Sequence, residues 1–94
     1  MKKINLLPIL LLLISCNQNK EQFNTKLAKE LNNDVTMLIA LEDYDKANEI
    51  INQAIELDSN YYISYVNKFI LSEIENNPEN SIHYLKKALK KNDK

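Results

Sequence analysis

Apolar residues recur along this chain at helical spacing in four successive stretches. Phe23, Leu27, Leu31, Val35, Leu38 and Leu41 fall at intervals of four and three, which predicts one stripe of a first helix. Ala47, Ile50, Ile51, Ala54, Ile55 and Leu57 form a second amphipathic stretch. Tyr62, Tyr65, Val66, Phe69, Ile70 and Ile74 form a third, and Ile82, Leu85, Ala88 and Leu89 a fourth. Polar breaks separate them. Asp43 ahead of Tyr44 is placed to cap a helix start, Asp58-Ser59-Asn60 makes a turn, and Asn77-Pro78 sets proline at a first helical position. The pattern predicts an all-α fold of about four helices joined by short connections.

A different pattern precedes these stretches. Residues 1–16 read MKKINLLPILLLLISC: two lysines, then an apolar run from Ile4 to Ile14 broken by Asn5 and Pro8. A helix needs about 20 apolar residues to cross a bilayer, so this run has the shape of a secretory signal peptide instead. Its end, Leu13-Ile14-Ser15-Cys16, resembles the lipobox of bacterial lipoproteins: an aliphatic residue, a tolerant position, a small residue and a cysteine. That resemblance implies cleavage before Cys16, a thioether-linked diacylglycerol on its sulfur and an acyl chain on the new amino group. Only a thiol serves as that nucleophile. Two other readings of the same residues are a free cysteine buried in a core helix and an ordinary signal peptide with cysteine near its cut.

Two or three lipid chains anchor a protein stably where one does not. The resemblance therefore implies a protein lipid-anchored to a membrane of the bacterial cell envelope. Asn17 follows the cysteine, where Asp commonly marks inner-membrane retention, and this favours the outer membrane in a cell that has one. Residues 1–15 are then a leader, and residues 16–24 the lipidated cysteine and a polar tether. Extended, the eight residues NQNKEQFN reach roughly 26–29 Å.

The stretch DYDKANEIINQAIELDSN at 43–60 resembles the second helix and turn of a tetratricopeptide repeat. Tyr44, Ala47, Ile51, Ala54 and the Asp58-Ser59 turn stand in that family's places. One family period later, a step of about 34 residues, come Pro78, Ser81, Leu85 and Ala88. In the first helices Leu31 aligns with Tyr65, Val35 with Phe69, Met37 with Leu71, and Leu38 with Ser72. Small Ala54 and Ala88 let paired helices approach closely. The sequence departs from the family at Val35 and Phe69, which replace a small residue, at Asp34 and Lys68, which replace a leucine, and at Ser59, which replaces a proline. The resemblance implies two repeats, at 25–61 and 62–94; an unrelated four-helix bundle is the other fold with this pattern.

Composition and charge narrow the function. The chain has no glycine, so turns that need positive φ fall to its fourteen Asn and to Asp. All twelve basic residues are Lys, which removes bidentate recognition of phosphates or bases by guanidinium. From Glu30 to Glu79 there are eleven acids and two Lys, and from Asn80 to Lys94 five Lys and one acid. The acidic middle repels phosphate, which excludes nucleic acid, and the basic end complements a helix dipole. His83 is the single histidine and Cys16 the single cysteine, too few for a metal site or a Cys-His pair. Phosphate-cradling loops need glycine.

No enzyme, metal or cofactor is expected beyond the lipid on Cys16. The repeats' resemblance implies a protein-protein interaction module whose partner is another envelope protein or the chain itself. The family's concave ligand face corresponds here to Asn32, Thr36, Ile63, Val66 and Ile70; the other reading of Ile63, Val66 and Ile70 is that they pack on the chain's own N-terminal helices. A different class of reading is a structural homo-oligomeric envelope lipoprotein with no separate ligand.

Overall fold

The structure is a computed structural model that describes the backbone of residues 6–93 and the side chains of residues 20–93. Four helices follow in order: α1 (Leu6–Ala40), α2 (Tyr44–Leu57), α3 (Tyr62–Ile74) and α4 (Pro78–Asn92). Among the described residues there is no strand, so the all-α class and the four helices expected from the periodicity are both present. The caps are where the polar breaks put them. The Asp43 carboxylate accepts from the Lys46 N–H, the Asn77 side chain accepts from the Asn80 N–H, and Pro78 opens α4.

α1 packs along α2 and α3 along α4, each pair a hairpin closed by a three-residue turn. α3 also lies against both α1 and α2. The two turns are the same object. At the end of α1 the N–H groups of Leu41, Glu42 and Asp43 donate to the carbonyls of Met37, Ile39 and Leu38. At the end of α3 those of Glu75, Asn76 and Asn77 donate to Leu71, Glu73 and Ser72, so every bond of the first turn has a counterpart one repeat later.

This is the Schellman pattern, in which a left-handed residue lets the chain reverse and satisfies the last carbonyls. With no glycine available, the left-handed positions fall to Glu42 (φ 61°) and Asn76 (φ 56°). Asn tolerates that conformation; Glu is an expensive choice. The two turns therefore repeat one another at the step that carries Glu42 onto Asn76.

The core centres on Val35, Ala47, Ile51 and Leu71, with Leu38, Ile39, Tyr44, Ile50 and Ile55 packed around it. Ala28, Ala54 and Ala88 are buried, and their small side chains let neighbouring helices approach closely.

Three expectations need correction. The polar run Asn17–Asn24 is not extended but continues α1, which advances only about 12 Å over eight residues. It carries no glycine or proline, and its Gln, Lys and Glu are good helix formers. Phe23 and Leu41 do not belong to the buried stripe of α1, being 63% and 72% exposed; Ala28 and Asn32 take the inward places. In α4 only Ala88 of the four expected apolar residues is buried.

Candidate functional site

The surface where α1 meets α3 is built on a polar contact. Asn32 is 2% exposed, and its Nδ2 donates to the Ala28 carbonyl and to Ser64 Oγ, both at 2.9 Å. Its Oδ1 accepts from Asn67 Nδ2 at 2.8 Å. Ser64 and Asn67 are buried as well, so each amide group here has exchanged water for a protein partner. Thr25 Oγ1 donates to Asp58 Oδ2 at 2.8 Å, further toward the N-terminal end of the same seam.

Above this seam stand the other expected contact residues. Ile63, Val66 and Ile70 lie at i, i+3 and i+7 on α3, a spacing that lines them along one helix face. Ile63 and Val66 are half-buried and Ile70 is exposed. Thr36 is exposed one turn beyond Asn32 on α1, its hydroxyl donating to the Asn32 carbonyl at 3.3 Å.

Ile63, Val66 and Ile70 thus share one face of α3, Thr36 is exposed on α1, and Asn32 is buried. Asn32 is committed to the joint beneath. Neither Asn67 nor Ser64 was indicated by the repeat, because the repeat register sets Asn32 opposite Val66 and leaves both of them off that position. The available signal was an Asn at an inward-facing position of an otherwise apolar stripe.

Two further polar contacts tie the hairpins. Lys68 Nζ donates to Asn48 Oδ1 and lies 5.8 Å from the Tyr84 ring centroid. Its burial pushes its pKa down, with Glu75 acting in the opposite direction. Tyr65 Oη donates to the Ser59 carbonyl at 2.8 Å, fastening α3 to the turn before it. Burial raises the Tyr65 phenol above its ordinary value, and Asp58 and Tyr84 add to the shift. Tyr61 is raised by burial and by Tyr62.

The depressions on the surface are shallow and open. One of about 410 Å³ runs along α1 from Glu21 to Lys29, and one of about 310 Å³ is walled by His83 and four lysines of α4. His83 is exposed and stands edge-on to Tyr84, with ring centroids 4.9 Å apart. Among the described residues no group of His, Cys, Asp or Glu is arranged to hold a metal ion. Among them, too, no helix is long and apolar enough to cross a membrane. The side chains of Leu13, Ile14, Ser15 and Cys16 lie outside the described residues. No protein-family model, curated protein or solved structure matches the chain.

Proposed function

We propose that this chain is a lipid-anchored module of two tetratricopeptide-like repeats that holds another protein at the bacterial cell envelope. The observation that carries the reading is the apolar row of Ile63, Val66 and Ile70 along one face of α3, half-buried at its start and exposed at Ile70. It stands on the first helix of the second unit of a scaffold whose two hairpin turns share one hydrogen-bond pattern. A row of this spacing suits the apolar face of a partner helix. The chemistry of the site is contact alone, with no nucleophile or proton carrier among its residues. The lipobox-like Leu13-Ile14-Ser15-Cys16 supports the anchor: cleavage before Cys16, lipid on its sulfur, and an outer-membrane location where the cell has one.

Two measurements test it. The intact mass of protein extracted from membranes should equal residues 16–94 plus lipid, and Cys16→Ser should abolish that mass. A photo-crosslinking residue at Ile70 in the full chain should give one adduct of defined mass, lost in Val66→Glu and absent from the same probe at Gln53 on α2. An unmodified full-length mass removes the anchor, and equal labelling from both positions removes the interaction face.

A further inference from the structure

The junction between α2 and α3 has an open counterpart at each end of the molecule. Ile51 of α2 and Leu71 of α3 belong to one buried cluster, 0% and 2% exposed. One repeat after Ile51 stands Leu85 on α4, 42% exposed; one repeat before Leu71 stands Met37 on α1, 67% exposed. Because the two hairpin turns repeat at the same step, Leu85 occupies on α4 the place that receives α3 on α2. Met37 occupies on α1 the place from which Leu71 enters the core. Ile82 and Leu89 extend the α4 side at 56% and 58% exposure, and Leu41 extends the α1 side.

Charge separates these two faces from each other. Glu30 and Asp34 are exposed on α1 where α3 carries Ser64 and Lys68. Lys86 and Lys90 are exposed on α4 where α2 carries Asn52 and Glu56. One open face is apolar with acids and the other is apolar with lysines.

We infer that copies of this chain stack end to end, α1 of one copy docking on α4 of the next as α3 docks on α2 within the chain. The direction is consistent along the row. Thr25 pairs with Asp58 just ahead of α3, and Asn32 pairs with Ser64 and Asn67 further along, so α1 and α3 run parallel. A copy added by the same step keeps its α1 parallel, and the N-terminal ends of all copies point to one side, where one membrane surface can hold them. Such a contact is heterologous and leaves a fresh face open after each addition.

A symmetric pair through α4 would instead set Lys86 and Lys90 against their own counterparts. Between copies Val66 stands where Asn32 does within the chain, and Glu30 where the buried Ser64 does. The joint therefore lacks the buried amide pair, brings a carboxylate toward an apolar residue and assembles reversibly. The contact uses the outer faces of α1 and α4 and shares Val66 with the partner groove.

The test uses the full chain in the membranes of the cells that express it, with Met37→Cys and Leu85→Cys introduced singly and together. Both positions are exposed, so the fold is retained, and circular dichroism of each purified variant checks this. After treatment with a short bismaleimide, the double variant should give a ladder of dimers, trimers and larger species. Mass spectrometry of the linked peptides should join position 37 to position 85. Links between 37 and 37 or between 85 and 85, adducts at 85 with a different protein, or no species beyond those of the parent chain would each overturn the inference. The step that sets Lys68 against Asn48 sets Asp34 of the next copy against Ile82. In the double variant Ile82→Glu should therefore reduce the ladder several-fold, and adding Asp34→Lys should restore it. A ladder indifferent to both changes overturns the docking geometry.

Discussion

Asn67 donates its side-chain amide to the Asn32 carboxamide oxygen at 2.8 Å, and this pair joins the two hairpins where both residues are buried. Removing one partner strands the other without water. Asn32→Ala leaves both Ser64 and Asn67 unpaired and should lower stability by about 2–4 kcal/mol, taking each orphaned polar group at the usual order of magnitude. The double variant Asn32→Ala with Asn67→Ala should lose less than the sum of the single losses. Urea unfolding of the four proteins measures the coupling; strict additivity would mean that the pair does not act as a unit.

The residues Ile51 and Leu85 occupy one repeat position with opposite burial, 0% against 42% exposed. Ile51→Ala opens a cavity in the core and should cost about 2–5 kcal/mol. Leu85→Ala removes atoms already in contact with water and should change the stability of the isolated chain by no more than about 0.5 kcal/mol. Thermal melts at low protein concentration decide this, since equal losses would place Leu85 in the core.

Among the described residues Ser81 Oγ is buried with no hydrogen-bond partner, and one hairpin step earlier in the sequence stands Ala47. A hydroxyl sealed from water without a partner destabilises the fold, and Ala is also the better helix former. Ser81→Ala should therefore raise stability by about 1 kcal/mol, and Ala47→Ser should lower it by a similar amount. A loss of stability in Ser81→Ala, measured in urea, would show that the hydroxyl has a bonded partner in solution.

Local signals carried most of the fold and little of its joints. Asp43 and Asn77-Pro78 mark helix starts because a cap is made by neighbours in sequence, and both stand where they were expected. Which face of α1 is inward was harder to read. Phe23 and Leu41 fit the apolar period, but burial depends on what lies opposite, and nothing in the sequence placed α3 against Asn32. The same reason hid the exposed row on α4. Ile82, Leu85 and Leu89 are as apolar as their counterparts at the core, and only the absence of a helix over them in the fold tells them apart. Of the five residues expected on a contact face, Asn32 is buried in the joint between the hairpins. A polar residue on that register reads as exposed when nothing in the sequence shows what lies opposite.

The left-handed turn residues Glu42 and Asn76 end α1 and α3 in the same backbone shape, at φ 61° and 56°. Asn enters this region readily and Glu does not. Glu42→Asn should raise stability by about 0.5–1 kcal/mol, and Asn76→Glu should lower it comparably. Chemical unfolding at neutral pH gives both values; a destabilised Glu42→Asn would show that the Glu42 side chain makes a contact in solution that outweighs its backbone strain.

Tyr65 gives the molecule an alkaline limit. Its phenol is raised above 10.0 by burial, and then by Asp58 and Tyr84, while its O–H donates to the Ser59 carbonyl. The folded state keeps this proton where the unfolded chain would release it. Its contribution is therefore whole below pH 10.0 and is lost as the pH rises through the folded value. Lys68 acts in the opposite sense. Its pKa is lowered from 10.5 by burial, so the unfolded chain binds the extra proton and stability rises with pH in the window below 10.5.

Tyr65→Phe should be less stable than the parent by about 1 kcal/mol at neutral pH, from the lost hydrogen bond. The difference should shrink as the pH climbs past 10.0, because the variant has no phenol to ionise there. Lys68→Met should remove the rise that precedes this fall. Urea midpoints measured across that range for the three proteins separate the two effects, and a Tyr65→Phe curve that stays parallel to the parent through the alkaline range would show that this phenol titrates alike in both states.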